Sequence, residues 1–419
     1  MAVQDGYGKS SGSESLVFAY DLKDTVNSFR GEPATNSQNV DISSMTQVGF
    51  DSWSCYDGSP PYHTWGTNQS KTFVTIPGPF GISVNAMLYH NFNGGFYGPT
   101  DWGAVPNGTI TAGRTYTVQG WVKAADSSSI GKTVTPYTYY SHSGGAYSAG
   151  TNYTLTDQWQ LVSHTHTAQY NASGDGVMYF FTQNSGEVKM YLTMTGVFLD
   201  KSHAVPWIVG GSTRSNTQGL LDLTGNNIIN VPAVSYDSNA SIVFDGTDDY
   251  ILLPSSYTTF VNRPRREITV NMILKFYNFN SQQEIMRTGG AIEFDVGEIG
   301  GSGSGRMSFW IYDGGWLSTD YDVMTNVGTN VWFMVTGVYS NVTNRHELYI
   351  NGNLVTTGGV GGGTGLDLGG LGSTFIGAAS TGALHFNGEI KVCQIYNKPL
   401  SSIEITNNYL KYKRQYGLT

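Results

Sequence analysis

FNGEIKVCQIYNKPLSSIEITNNYLKYK, residues 386–413, joins a segment with strand periodicity to the helix that closes the predicted fold. Its first part alternates apolar and polar residues, which is typical of a half-buried β-strand. Ser401 and Glu404 then match the Ser-x-x-Glu capping box of a helix start. Upstream, ELYINGNLVTT (347–357) predicts a hairpin, because Asn351-Gly352 tolerates the positive φ angles of a type I′ turn. The closing part of the chain therefore predicts paired strands followed by one short helix.

The composition of the whole chain favours β-structure with many turns. Its 419 residues include 54 glycines and 27 tyrosines, and Asp, Glu, Lys and Arg together make up 13%. This charged share is about half that of an average globular protein. Because helix formers are scarce before the C-terminal segment, we expect almost no other helix. A chain of this length indicates two or three domains.

The charge and hydropathy patterns exclude several classes of function. The formal net charge is -9, and no run of Lys or Arg alternates with aromatic residues, so nucleic acid is not an expected partner. No apolar run is long enough to insert into a membrane, and the N-terminal segment lacks the apolar core of a secretion signal. Cys55 and Cys393 lie in different predicted domains, so we expect a soluble protein without a disulfide, made in a reducing compartment.

Two series of short alternating segments predict the domain organisation. The first series occupies residues 41–210 and includes TYTVQGWVKAA (115–125), and the second occupies residues 211–419. Residues 1–40 are polar and rich in Gly and Ser, except for LVFAYDL (16–22). We interpret residues 1–40 as an arm that docks either on its own downstream domain or on another chain, since it cannot bury a core alone.

Several motifs of the second domain resemble a known family. VFDGTDDYILL, LYINGNLV, FIGAA and FNGEIKVCQIYNKPLSSIEI occur in the order and at about the spacing of the laminin-G-like, concanavalin-A-like jelly roll, over about residues 212–412. The first domain resembles carbohydrate-binding-module jelly rolls through TYTVQGWVKA and the closing GVFLD. These resemblances imply an all-β protein of two tandem antiparallel β-sandwich domains, with an extended N-terminal arm and a short C-terminal helix.

The order of the segments is similar to that of structural proteins of tailed bacteriophages. The arm LVFAYDLKDTVNSFRGEPATN is followed by a jelly roll, the junction AVPWIVGGSTRS, GLLDLTGNN and the laminin-G-like domain. The resemblance implies a virion protein, such as a fibre, spike or capsid decoration, assembled in the cytoplasm of the bacterial host. Residues 1–40 would attach it to other virion proteins, and the jelly rolls would adhere to host-surface glycans. Symmetric appendages and multivalent glycan binding favour a homo-oligomer, and we expect a trimer.

The stretch GGAIEFDVGEIGG (289–301) contains three carboxylates within six positions. Two-residue alternation predicts a strand whose apolar residues enter the core while Glu293 and Asp295 face solvent. Glu298 is out of phase with them. An extra residue at Gly297 would form a β-bulge and return Glu298 to the same side.

The spacing Glu-x-Asp-x-x-Glu is similar to the signature of laminarinase-like and lichenase-like glycoside hydrolases. That resemblance implies Glu293 as nucleophile, Glu298 as acid/base and Asp295 as the residue that holds their protonation states. Trp310 and Trp316 are candidates to line a substrate cleft. Alternatively, they are a core residue and a loop residue. The surrounding motifs follow the non-catalytic family, so the preferred interpretation is a non-enzymatic protein with an acidic solvent-facing strand, and calcium binding is a third alternative.

Other polar clusters are candidate metal sites. Asp245, Asp248 and Asp249 offer oxygen ligands for calcium, although a tight turn at Asp245-Gly246 is the preferred interpretation. His164 and His166 share one strand face at a spacing that suits a metal ion, but without a third ligand a solvated face is favoured. No other cofactor is expected.

Aromatic residues with polar neighbours are the candidates for glycan recognition, because a flat ring stacks on the apolar face of a sugar. Sandwich edges and subunit interfaces use the same residue types, so this alternative remains open. The candidates are Tyr62, Trp65, Tyr97, Trp102, Tyr139 and Tyr140.

Overall fold

A computed structural model divides the chain into two structural units. The described residues are 15–38, 41–44, 53–56, 69–92, 94–105, 110–140, 146–172, 176–237, 242–253, 267–289, 291–298, 301, 304–362 and 373–418. The N-terminal domain comprises Pro33–Arg214. The C-terminal domain comprises Ser215–Asp237 and Ser241–Thr419, together with the described residues that precede Pro33.

The N-terminal domain contains two antiparallel sheets, named A and B. Sheet A has the spatial order Tyr153–Thr154, Thr133–Tyr140, Gly176–Ser185, Gly94–Val105 and Trp53–Tyr56, with Ala146–Ala149 also paired to Thr133–Tyr140. Sheet B has the order Gln160–Thr167, Thr115–Ala124, Val188–Leu199, Ser83–Asn91 and Gln69–Pro77. A short pair, Ala34–Thr35 with Thr213–Arg214, and a 3₁₀ turn at Ser127–Ser129 complete the described elements.

The core of the N-terminal domain draws on both of its sheets. Trp53 and Phe180 of sheet A and Tyr89, Val122 and Leu192 of sheet B are fully buried in one apolar cluster. These residues lie on strands whose apolar positions recur every second residue, so each strand turns one face inward. The strands predicted from this alternation in the first series are confirmed, and the predicted all-β class with them.

The C-terminal domain contains two further antiparallel sheets, C and D. Sheet C has the order Ser235–Tyr236, Ile242–Asp245, Asn387–Tyr396, Glu267–Phe276, Phe333–Ser340, Arg345–Ile350 and Asn353–Thr357, with Leu16–Asp21 also paired to Asn387–Tyr396. Sheet D has the order Asn230–Ala233, Tyr250–Leu253, Thr374–Ile376, Gln283–Thr288, Ile292–Val296, Arg306–Tyr312 and Trp316–Asp322. The helices are Val323–Asn326 and Ser402–Tyr416.

Sheets C and D pack their apolar faces into a single core. Phe294 and Phe309 of sheet D are fully buried and stack with their ring centroids 4.6 Å apart. Gly337 of sheet C lies against this pair, since a Cβ atom there would come within 2.6 Å of Phe294 Cζ. A glycine at this position lets the two sheets approach around the aromatic rings.

The strand Leu16–Asp21 belongs to the C-terminal domain. It pairs antiparallel with Asn387–Tyr396, and Phe18 and Tyr20 are fully buried in the core. The sequence left two docking partners open for residues 1–40, and this strand takes the first, since it extends sheet C of its own downstream domain. The physical reason is that two neighbouring aromatic side chains find a buried apolar environment within their own chain.

The local signals at the end of the chain are confirmed. Ser401 accepts a hydrogen bond from the Glu404 amide and Glu404 accepts one from the Ser401 amide, so the capping box forms as predicted at the start of helix Ser402–Tyr416. Asn351 and Gly352 have φ angles of 50° and 77°, as a type I′ turn requires. No helix in the described part of the chain is long and apolar enough to cross a membrane.

Candidate functional site

The acidic strand Ile292–Val296 lies inside sheet D, between Gln283–Thr288 and Arg306–Tyr312. The predicted alternation is confirmed, because its apolar residues enter the core while Glu293 and Asp295 occupy the opposite face, which we call the outer face. Both carboxylates therefore project from a strand that is hydrogen-bonded on each side, which fixes their positions.

The turn after this strand brings the third carboxylate back to the first two. Gly297 has a φ angle of +89°, and its amide donates a hydrogen bond of 2.9 Å to the Arg306 carbonyl. One carboxylate oxygen from each of Glu293, Asp295 and Glu298 lies within 4.8 Å of the others. The predicted convergence is thus present. It arises because Gly297 adopts a left-handed backbone conformation at the end of the strand, whereas the sequence predicted a β-bulge there.

The prediction of a solvent-facing acidic strand is wrong. Glu293 is 6% exposed and Asp295 is 0% exposed, while Glu298 is exposed. Arg287 Nη2 forms an ion pair of 2.9 Å with Glu293 Oε1, and Trp310 Nε1 donates a hydrogen bond of 2.8 Å to Asp295 Oδ2. Side chains of the flanking strands therefore engage these carboxylates and replace the water that the prediction assumed.

A fourth carboxylate, Glu284, joins the same face. Glu284 lies directly across from Asp295 on the neighbouring strand and is 1% exposed. Neither of its side-chain oxygens has a hydrogen-bond partner. Sequence reasoning missed Glu284 because the segment QEIMRT does not show which of its residues a neighbouring strand will cover. The register shift between Glu284 and Met286 places Glu284 and Arg287 on one face.

Burial dominates the electrostatics of this acidic cluster. It raises the pKa of Asp295 to about 8, and the adjacent Glu298 carboxylate adds to the effect. Burial also raises the pKa of Glu293, although the Arg287 guanidinium opposes this. The pKa of Glu284 is raised well above its ordinary value by burial and by the charges of Glu293 and Asp295. Glu284, Glu293 and Asp295 thus resist simultaneous ionisation.

Three aromatic side chains stand beside the acidic cluster on the outer face of sheet D. Trp310 lies directly across from Glu293, and Tyr312 lies across from Trp316. The rings touch edge to face, with centroids 6.4 Å apart for Trp310 and Trp316 and 5.5 Å apart for Tyr312 and Trp316. Trp316 is 43% exposed. Of the two open alternatives, the structure favours a surface role for both tryptophans, because neither belongs to the core.

The aromatic candidates of the first domain do not assemble into a described site. Tyr62 and Trp65 lie outside the described residues. Tyr97 and Trp102 lie in strand Gly94–Val105, and the structure describes their backbone only.

Tyr139 and Tyr140 are neighbours on one strand of sheet A with different environments. Tyr139 is half-buried against Tyr179 and Phe181. Tyr140 is 3% exposed, belongs to the core and accepts a hydrogen bond from the Gln169 amide. The assignment of Tyr140 to a glycan-binding surface is therefore corrected, because a buried ring cannot stack on a sugar.

The second acidic group has the features of a turn. Carboxylate oxygens of Asp245, Asp248 and Asp249 lie within 4.8 Å of one another. Asp249 Oδ2 accepts a hydrogen bond of 2.8 Å from the Asp245 amide, and Gly246 has a φ angle of +83°. These contacts agree with the preferred interpretation of a tight turn, and the calcium assignment stays a prediction.

His164 and His166 share a face of strand Gln160–Thr167, as predicted, with ring centroids 6.4 Å apart. His164 Nε2 lies 2.8 Å from Ser148 Oγ. Both side chains are partly buried, so the prediction of a solvated face is only partly correct. Neither residue belongs to a metal-type cluster among the described residues.

One family model matches part of the C-terminal domain. Residues 245–406 match the model of the concanavalin A-like lectin/glucanases superfamily, in its laminin G group. This range contains the acidic cluster and the three aromatic residues. The predicted concanavalin A-like jelly roll is confirmed for this part of the chain.

Solved structures with low overall similarity include receptor-binding domains of botulinum neurotoxins. The domain of the C/D mosaic serotype is 16% identical, with a TM-score of 0.38, over 47% of this chain and 50% of that chain. The serotype D binding domain is 17% identical, with a TM-score of 0.37, over 48% of this chain and 50% of that chain. This chain thus aligns with about half the length of each, and at these values the similarity does not bear on function. Comparison with curated proteins gives no match.

Proposed function

We propose that this protein binds carbohydrate through the outer face of sheet D, because residues 245–406 match the concanavalin A-like lectin/glucanases model. The observation that carries the proposal is the aromatic group Trp310, Tyr312 and Trp316 beside charged and polar side chains. Ligand sites commonly combine an apolar surface with a few polar groups that fix orientation. Here the rings offer stacking surface for a sugar.

Polar side chains next to the aromatic group supply hydrogen-bonding capacity. Ser318 lies across from Trp310 on the neighbouring strand, and Asp320 lies across from Ser308. Arg287 is partly exposed while it holds Glu293. A hydroxyl-rich ligand that covers the rings would therefore meet both donors and acceptors on this face.

We propose that this face binds carbohydrate without cleaving it. The separation of the carboxylate oxygens is compatible with a retaining glycosidase, whose carboxyl groups lie about 5 Å apart. However, a nucleophile must reach the anomeric carbon, and Glu293 is 6% exposed and ion-paired with Arg287. Asp295 is fully closed to solvent. Their burial and the ion pair with Arg287 support a structural role for Glu293 and Asp295.

The binding proposal is tested with Trp316→Ala. Removing the most exposed ring of the group is expected to weaken binding to the best ligand of a glycan array by about tenfold or more, since stacking of one ring contributes on the order of 1–2 kcal/mol. Isothermal titration calorimetry measures the change. Phe80→Ala is the matched control, because Phe80 is 59% exposed in the N-terminal domain. Equal affinity of wild type and Trp316→Ala would refute the proposal.

The non-enzymatic part of the proposal has its own test. Wild type and Glu293→Gln are incubated with β-glucans and host polysaccharide, and released reducing ends are measured. Both proteins are expected to release none above buffer. Release by wild type that Glu293→Gln abolishes would establish the hydrolase alternative with Glu293, Asp295 and Glu298.

We also propose that the protein is part of a phage particle, because the order of its segments resembles that of structural proteins of tailed bacteriophages. In this proposal the protein is a fibre, spike or capsid decoration, attached through residues 1–40 outside strand Leu16–Asp21 and displayed as a homo-oligomer that adheres to host-surface glycans. Mass spectrometry of purified phage particles would detect the protein, and light scattering after size exclusion would give its oligomeric state. If the protein is absent from intact particles, the virion proposal is refuted, whereas the carbohydrate proposal is unaffected.

A further inference from the structure

We propose that Glu293, Asp295 and Glu298 bind a divalent metal ion, with calcium as the best chemical match. Calcium takes oxygen ligands at about 2.3–2.6 Å, so two oxygens on opposite sides of one ion lie about 5 Å apart. One oxygen from each of the three carboxylates lies within 4.8 Å of the others. The three groups therefore lie at a spacing that is compatible with a single bound ion.

Unpartnered buried oxygens in the same place independently indicate a missing ligand. Both oxygens of Glu284 and Oδ1 of Asp295 lack hydrogen-bond partners, and these residues are 1% and 0% exposed. Ser308, across from Asp295 on the other side, is also fully buried with an unpartnered Oγ. A buried polar oxygen without a partner is destabilising by about 1–3 kcal/mol. A cation held by the three carboxylates would give Asp295 a further partner and would place a positive charge beside Glu284 and Ser308, which flank Asp295 on the neighbouring strands.

The charge balance of the outer face agrees with a bound cation. Glu284, Glu293, Asp295 and Glu298 bring four carboxyl groups together, and Arg287 supplies one positive charge by its ion pair with Glu293. A divalent ion would neutralise two of the remaining negative charges, and hard oxygens are the ligands that calcium prefers.

The neighbouring tryptophan provides a direct readout of this ion. Trp310 Nε1 lies 2.8 Å from Asp295 Oδ2, so an ion held by Asp295 would lie close to the indole. Terbium is a hard, oxygen-liganded cation that occupies calcium sites and emits light when a nearby tryptophan transfers energy to it. The protein, freed of metal by a chelator, is therefore titrated with terbium under tryptophan excitation.

The expected result is saturable terbium emission that calcium displaces, with an affinity at least about tenfold lower in Glu298→Gln. Glu298 is exposed, so this variant is expected to fold, and Asp295→Asn is the second ligand variant. Trp310→Phe should retain calcium binding by calorimetry while lowering the emission, which Trp316, with its ring centroid 6.4 Å from that of Trp310, still sensitises. Asp248→Asn, in the other acidic group, is the matched control and should behave as wild type.

Two outcomes would overturn the proposal. One is the absence of saturable emission together with no heat of calcium binding in wild type. The other is binding that Asp248→Asn abolishes while Glu298→Gln and Asp295→Asn leave it unchanged, which would assign the ion to Asp245, Asp248 and Asp249. Neither outcome depends on carbohydrate, so failure here is distinct from failure of the carbohydrate proposal.

Discussion

The C-terminal domain contains a buried histidine, His346, whose environment is mostly apolar. His346 is 1% exposed and packs edge to face against Tyr339 and Phe309. Its Nδ1 lies 2.9 Å from the Gly359 carbonyl, and its Nε2 lies 3.2 Å from the Phe309 carbonyl. Burial lowers the pKa of His346, and the two carbonyl contacts oppose this only in part.

The first prediction concerns this histidine. Because its pKa is lower in the folded than in the unfolded protein, its contribution to stability is complete above the unfolded pKa of about 6.5 and is lost as the pH falls below it. The free energy of unfolding of the C-terminal domain should decrease on acidification, by at most about 1.4 kcal/mol per pH unit for this group. Denaturant unfolding at several pH values measures it. His346→Gln should flatten the profile, and an unchanged slope would contradict the assignment.

At the scale of the element, strand pairing explains both what the sequence predicts and what it leaves open. The hairpin at Asn351-Gly352 and the helix after Ser401 follow from local chemistry, so a short stretch of sequence is sufficient to predict them. The burial of Glu293 depends on Arg287 and Trp310 from flanking strands, which alternation within one strand does not reveal. The same limit applies to Tyr140, whose environment is set by the opposite sheet.

A second prediction tests the packing between sheets C and D. Gly337→Ala places a methyl group within 2.7 Å of both Phe294 and Phe309. The rings are fully buried and cannot move into solvent, so the substitution should destabilise the C-terminal domain by about 1–3 kcal/mol. Gly315→Ala is the matched control, since a Cβ atom there meets nothing within 4 Å. Urea unfolding compares the two, and equal stabilities would show that the sheets can separate at this point.

At the scale of the whole molecule, the C-terminal domain is assembled from distant parts of the chain. Strand Leu16–Asp21 and strand Asn387–Tyr396 are neighbours in sheet C, and the N-terminal domain lies between them in sequence. Alternating segments predicted the two domains, but not this pairing, because a strand's partner depends on which sheet edge is available. The early strand contributes Phe18 and Tyr20 to the core between sheets C and D.

The third prediction separates the two domains. Phe18→Ala removes a fully buried ring from the C-terminal core and should destabilise that domain by about 3–5 kcal/mol. Hydrogen exchange followed by mass spectrometry should show lost protection in sheet C and unchanged protection in sheets A and B. Phe180→Ala is the matched control and should give the reverse pattern. Loss of protection confined to residues 15–38 would contradict the role of Phe18 in the shared core.

The pairing of Leu16–Asp21 with Asn387–Tyr396 also has a consequence for synthesis on the ribosome. The early strand leaves the ribosome long before its partner exists, and the whole N-terminal domain is translated in the interval. During that time an apolar, aromatic strand lacks its native neighbour, which exposes it to association with other chains. This strand therefore cannot complete sheet C until Asn387–Tyr396 has been synthesised, and the pairing joins the most widely separated residues of any two paired strands in the described part of the chain.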